Sequence, residues 1–474
     1  MKFKITWYAF LLTLMCVEKS LEECNVEYFY QVDVYGNYCT HRRYNCSGMT
    51  NEMLTQFHQN HYEEPCHADN YCYTVYIINS QVHHADEKIL LTNNTCKPSK
   101  LYGLILTNNQ IQTLNENVFS AYSTWDIYEI RELKLDQNNL TSVEAFIFMY
   151  LRKLQILDLS FNQLVSIGNV SYNLPLLNQL FLNNNNISEL NDVLFEKLIN
   201  LQILDISFNQ IAVLGNKIFR NTKDLEKLYM KHNCIQQLEE GIFHSLYNLE
   251  EIDLADNSLQ NLLPNTFVNL HNLIKLNLTK NRITFIDQNT FSGLRRLHHL
   301  LLAENQIGKI ALGAFQYVSE LQDLKLDVNH ISDLQIGLFS NLGKLNYLNL
   351  SNNNLNEIDD GVLFPLHNLN LLDLDNNNLS YIDYSALLSH LPNLKHVRIN
   401  QNSWTCSSLI EMLKAFRAKD VDYTVSSVKQ YTKQNVYGLP CKDNVQEGDN
   451  NLKTNESRAD LSKIMTSIEE KIDL

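Results

Sequence analysis

Thirteen times along this chain an asparagine closes the same apolar frame, LxxLxLxxN, and eleven of the twelve intervals between these asparagines are 23, 24 or 25 residues long. They are Asn109, Asn138, Asn162, Asn185, Asn209, Asn233, Asn257, Asn281, Asn305, Asn329, Asn353, Asn377 and Asn402. A fixed period in this range marks a repeat architecture, so the chain reads as a solenoid. In LRKLQILDLSFNQL the apolar residues Leu154, Leu157, Leu159 and Leu164 point inward. The alternation at Leu157 and Leu159 has strand period, so each unit supplies one short strand to a parallel sheet. The asparagine follows where the chain turns off the strand, and its carboxamide suits buried backbone groups in need of partners.

Five residues beyond the last leucine or isoleucine of most units comes a large apolar residue: Phe119, Phe195, Phe219, Phe243, Phe267, Phe291, Phe315 and Phe339. These are expected to stack as a spine under the convex side, with Leu363 and Leu387 standing in the same column. The first interval is stretched to 29 residues by an insert around Trp125, where a bulged loop is expected.

A repeat array buries its core locally, so the 474 residues set the number of turns rather than of domains. The formal net charge is -15 and no Lys/Arg cluster could follow a phosphate backbone, which argues against nucleic acid as a partner. The chain opens MKFK, then runs apolar from Ile5 to Val17, which is the layout of a secretory signal peptide. No later stretch approaches ~20 apolar residues, and the polar C-terminus is no lipid-anchor signal. The mature chain is therefore expected to be released, without a transmembrane anchor.

Of the ten cysteines, six crowd the front (Cys24, Cys39, Cys46, Cys66, Cys72 and Cys96), while Cys406 and Cys441 flank the exit of the last repeat. The ends of a solenoid need covering, and short segments with little core are held by disulfides in oxidising compartments. The alternative, metal binding, lacks the paired CxxC knuckles of a zinc site. Nine NxS/T sequons fit the same compartment: Asn45, Asn93, Asn139, Asn169, Asn186, Asn277, Asn349, Asn378 and Asn455. The organisation that follows is a signal peptide over 1–20, a cysteine-rich N-terminal cap over 21–100, repeats over 101–401, a C-terminal cysteine cap over 402–442 and a polar tail over 443–474.

The repeats are similar to those of the leucine-rich repeat family, and the exit NSWTCSSLIEMLKAF, residues 402 to 416, resembles the C-terminal cysteine cap of its extracellular members of the Toll and Slit kind. That cap opens NPWxCxC; here Ser403 replaces the proline and Ser408 the second cysteine, so the resemblance implies a single bridge, Cys406 to Cys441. The form looks most like insect secreted repeat proteins, including the mosquito leucine-rich repeat immune proteins that work in haemolymph with complement-like partners. The fold expected is an α/β leucine-rich repeat solenoid, a horseshoe with a parallel concave sheet and disulfide-bonded caps. The immune proteins carry a long coiled coil after the cap, whereas this chain has only about thirty residues there. Within them Leu461, Ile464, Ile468 and Ile472 share one helical face, which suits either a fraying amphipathic tail or a short docking helix.

No nucleophile motif, phosphate loop or HExxH appears, and the pairs His83-His84 and His298-His299 lack partners for a metal site. The chain is read as a non-enzyme without cofactor or metal. Three readings remain: a secreted recognition protein binding an extracellular protein or glycan along its concave sheet, in innate immunity by the resemblance; a structural component of matrix or cell adhesion using its convex side and caps; or an inhibitor of a secreted enzyme, which would use the concave surface of the first. The candidate ligand face gathers Ile156, Phe161, Phe181, Ile203, Phe208 and Tyr229 from the third to the sixth repeat, because contiguous exposed apolar residues mark interaction sites. Asn277 and Asn349 fall on the same sheet further along, so glycans there would keep a protein ligand off that half. Cys234 is left over in the middle of the array, in a slot that is polar in the other repeats. An exposed odd thiol suggests an intermolecular disulfide, joining two copies or the chain to a partner. A free thiol, or pairing with a cap cysteine, is the alternative.

Overall fold

The computed structural model describes residues 100–114, 118–119, 130–144, 146–168, 174–423, 435–436 and 439–442, and the backbone of strands at 24–32, 38–46, 72–77 and 84–85. The insert around Trp125, the tail from 443 and the sequons Asn93, Asn169 and Asn455 lie outside the described residues, as do the side chains of Asn45 and the N-terminal cysteines.

Among the described residues, one sheet of seventeen strands runs from residue 24 to residue 423. It begins with β1 (Cys24–Val32), β2 (Tyr38–Cys46) and β3 (Cys72–Ile77), of which β1 and β2 pair antiparallel. From β2 onward every pairing is parallel and each strand lies beside the next: β4 (Lys100–Ile105), β5 (Glu132–Lys134), β6 (Ile156–Asp158), β7 (Gln179–Phe181), β8 (Ile203–Asp205), β9 (Lys227–Tyr229) and β10 (Glu251–Asp253). The series continues through β11 (Lys275–Asn277), β12 (His299–Leu301), β13 (Asp323–Lys325), β14 (Tyr347–Asn349), β15 (Leu371–Asp373), β16 (His396–Arg398) and β17 (Asp422–Tyr423). This is the parallel solenoid that the period demands, with little helix. In β6 Leu157 is buried while Ile156 and Asp158 are half-exposed, and the pattern recurs in most strands of the array. The middle residue faces the core and its two neighbours face the concave surface.

The asparagine ladder is a hydrogen-bonding device. Asn233 Nδ2 donates to the carbonyl oxygens of Ile206 and Met230 at 3.0 and 3.2 Å, and its Oδ1 accepts from the Ile211 amide at 3.0 Å. One side chain thus joins two turns and satisfies backbone groups that would otherwise be buried unpaired. The same set recurs at Asn402, closing the array. Each ladder asparagine follows a residue at φ between 52° and 57°, from Asn108 to Gln401.

Phe195, Phe219, Phe243 and Phe267 stack with ring centroids 5.9–6.4 Å apart, as do Phe291, Phe315 and Phe339. Buried Leu363 and Leu387 continue the column. Phe148, five residues beyond Val143 rather than beyond a leucine or isoleucine, also belongs to it and lies 6.2 Å from Phe119.

At the exit, helix α1 (Asp360–Leu363) and α2 (Tyr384–His390) occupy the convex side of the last repeats, and α3 (Cys406–Ala418) lies beyond them. Leu409, Met412, Leu413 and Phe416, spaced i, i+3, i+4 and i+7, bury one face of α3 over the open end of the core. Thr405 caps it, its hydroxyl accepting from the Ser408 amide. The Cys406–Cys441 disulfide is present, and the Trp404 indole donates to the Ile399 carbonyl at 2.8 Å. Among the described residues no helix is long and apolar enough to cross a membrane.

Candidate ligand-binding face

Two rows of side chains run across the concave sheet, fixed by its register. In the row nearer the strand starts, Ile156, Gln179, Ile203 and Lys227 stand side by side; in the other, Asp158, Phe181, Asp205, Tyr229 and Asp253 do. The structure therefore brings Ile156, Phe181, Ile203 and Tyr229 onto one surface, all half-exposed. Phe161 and Phe208 lie three residues past their strands, in the left-handed turn before the ladder asparagine, at φ 52° and 54°. They are 51% and 40% exposed and form part of the sheet's rim rather than of its floor. Phe208 stacks on the His232 ring at 4.9 Å, the Lys231 ammonium stands 5.7 Å from its centroid, and His232 Nδ1 pairs with Asp256. A bulky apolar residue in the left-handed region costs ~1–2 kcal/mol.

Within each row the apolar residues are not contiguous: Gln179 stands between Ile156 and Ile203, and Asp205 between Phe181 and Tyr229. The aspartates of the second row have a structural role: Oδ1 of Asp158, Asp205 and Asp253 accepts from the backbone amide two residues on, at 3.0, 2.9 and 2.9 Å. Asn277, Asn349 and Asp373 make the same bond in the same row. Phe181 and Tyr229 cap nothing. Burial pushes the Asp158 and Asp205 carboxyls above the usual carboxylate range. Burial, then the Glu251 carboxylate, raises the Tyr229 hydroxyl, which donates to Glu251 Oε2 at 3.0 Å. Burial would raise Glu251 too, but hydrogen bonds from Lys275 and Tyr229 outweigh it and hold that carboxyl low.

Further along, Asn277 is half-exposed on this face, while Asn349 is only 8% exposed. Of the two sequons expected to carry glycans there, Asn277 is thus the more open. The His299 imidazole pairs with Asp323 on the next strand, and the His298 and His299 rings lie 6.3 Å apart at 81°. No group of three metal-ligating side chains occurs among the described residues. On one flank, in the position after the ladder asparagine, Cys234 is exposed with a free thiol. Asn186 and Asn378 are exposed in the same column.

A family model for the leucine rich repeat matches seven overlapping stretches, 129–187, 176–235, 199–259, 225–283, 247–307, 272–331 and 319–379. No curated protein matches the chain significantly in sequence. Many solved structures share its fold. A complex of TLR13 with a single-stranded RNA has TM-score 0.63 at 24% identity, covering 80% of this chain and 56% of its own. The glycosylated Toll–Spatzle complex, described as a hub in Drosophila development and innate immunity, has TM-score 0.65 at 18% identity, covering 85% and 58%. The leucine-rich repeat domain of APL1B has TM-score 0.56 at 24% identity, covering 70% and 92%. The chain thus covers a little over half the length of the TLR13 and Toll-complex chains.

Proposed function

Because the chain belongs to the leucine-rich repeat family, we propose that it is a recognition protein that binds an extracellular protein ligand on the concave sheet of its third to sixth repeats, in the service of innate immunity. The observation that carries this reading is the pair Phe181 and Tyr229. Both are half-exposed on the sheet surface, beside Asp158, Asp205 and Asp253, which serve the turns. Aromatic side chains dominate the binding energy of protein interfaces. On this reading the signal peptide is cleaved off and the chain acts outside the cell, where its cap cysteines are oxidised.

Extracellular fluid passed over the immobilised, secreted chain tests this. The proposal expects a defined soluble protein to be retained and to be lost when Phe181 and Tyr229 are both replaced by alanine. Partition of the chain into insoluble matrix, unaffected by that double substitution, would favour an adhesive or structural role instead.

A further inference from the structure

Five successive strands, β6 to β10, present Asp158, Phe181, Asp205, Tyr229 and Asp253 in lateral register, so that carboxylate and aromatic ring alternate across the concave face. Each carboxylate commits Oδ1 to its turn. The Ser160 and Ser207 hydroxyls also bond to Asp158 and Asp205, but among the described residues no lysine, arginine or histidine forms an ion pair with any of the three carboxylates. Lys134 stands beside Asp158 on β5 but is paired with Glu132, and Glu251 and Lys275, which face Tyr229, are paired with one another. Carboxylates held half out of water without a full partner gain most from an incoming cation.

We propose that this row is a track for an extended, arginine-bearing segment of a protein ligand, lying across the strands with an arginine at every third residue. The proposal rests on the concave face being the ligand surface. Spacing selects the segment. Strands are ~4.8 Å apart, so aspartates two strands apart stand ~9.6 Å from one another. Three residues of a polyproline II helix rise ~9.3 Å and bring side chains i and i+3 to the same side, whereas a β-strand would point them to opposite sides. Chemistry selects arginine. Its planar guanidinium lies flat on an aromatic ring while its edge donates to a neighbouring carboxylate, and an ammonium offers only a point charge. A polyanion would meet three carboxylates in this row and be repelled.

Burial raises Asp158 and Asp205, so the track should lose its charge at a higher pH than ordinary carboxylates would. Asp136, next to Asp158, and Asp253, near Asp205, push in the same direction, and Lys134 opposes them at Asp158.

The test uses the full secreted chain and synthetic peptides with arginine at every third position and proline between. A peptide of the same composition with its arginines in one block, and a lysine version of the spaced peptide, are the comparisons, read by fluorescence anisotropy. The spaced arginine peptide is expected to bind about tenfold tighter than either. Phe181→Ala and Asp205→Asn should each weaken it by about tenfold. Asp205→Asn keeps the turn intact, since Asn277 and Asn349 make the same bond. Equal binding of spaced and blocked peptides, or indifference to both substitutions, overturns the track. If the peptides fail while the Phe181/Tyr229 double variant still loses the captured partner, the arginine track falls and the concave reading stands. If neither ligand responds to the substitutions, both fall.

Discussion

The side-chain amide of Asn233 donates to the carbonyl oxygen of Ile206, 27 residues earlier in the chain, at 3.0 Å. One polar side chain thereby ties a turn to the turn before it. Asn233→Ala leaves the carbonyls of Ile206 and Met230 and the amide of Ile211 without this partner, and unsatisfied buried groups cost ~1–3 kcal/mol. Its melting temperature should fall clearly below that of Asn354→Ala, which removes an exposed side chain from the column that follows the ladder. Equal melting temperatures would show that the ladder carries no stability.

Asp205 yields a prediction whose sign depends on pH. Burial raises its folded-state carboxyl above the unfolded value near 3.8, so the folded state holds the proton more tightly. Stability from this group is present below the unfolded value and is lost as pH rises through the folded one. At neutral pH the charged carboxylate is therefore a burden, and Asp205→Asn should raise the melting temperature there. The gain should vanish when the melt is repeated below the ordinary carboxylate range. A gain that persists in acid would mean that the substitution acts through packing instead.

Cys234 is exposed and unpaired, one residue beyond the ladder. Protein secreted into an oxidising medium is expected to run as a covalently linked species without reductant and as a single chain with it, and Cys234→Ser should run as a single chain in both. A wild-type chain that is monomeric throughout, with a titratable thiol at Cys234, would end that idea.

Exposure also sorts the sequons. Asn186 and Asn378 stand open on the flank, whereas Asn349 is 8% exposed with its Oδ1 engaged by the Ser351 amide. Glycopeptide mapping by mass spectrometry is expected to find glycans at the first two and none at Asn349. Full occupancy at Asn349 would place that half of the concave face under carbohydrate.

Much of this was legible in the sequence because it repeats. The period placed every strand of the array and every ladder asparagine, and the phenylalanine column followed from a fixed offset. Phe148 was missed only because valine stands at the reference position. Other features depend on backbone conformation that the letters do not carry. Phe161 and Phe208 look like face residues, but the left-handed turn lifts them to the rim. Asp158 and Asp205 belong to no motif in the sequence, yet each holds the turn that follows it. Helix α3 does carry a sequence signal, since Thr405 at its N-cap precedes apolar residues at helical spacing.

The most direct test of the concave face as ligand surface is the affinity of the captured partner for the wild-type chain and for the Phe181→Ala, Tyr229→Ala double variant, each first shown to melt at the same temperature. Interface hot spots contribute ~2 kcal/mol or more apiece, which is roughly a 30-fold loss of affinity for each ring. We expect the double variant to lose binding by at least that factor while keeping its fold. Unchanged affinity in a folded double variant would remove the concave face of the third to sixth repeats as the binding site.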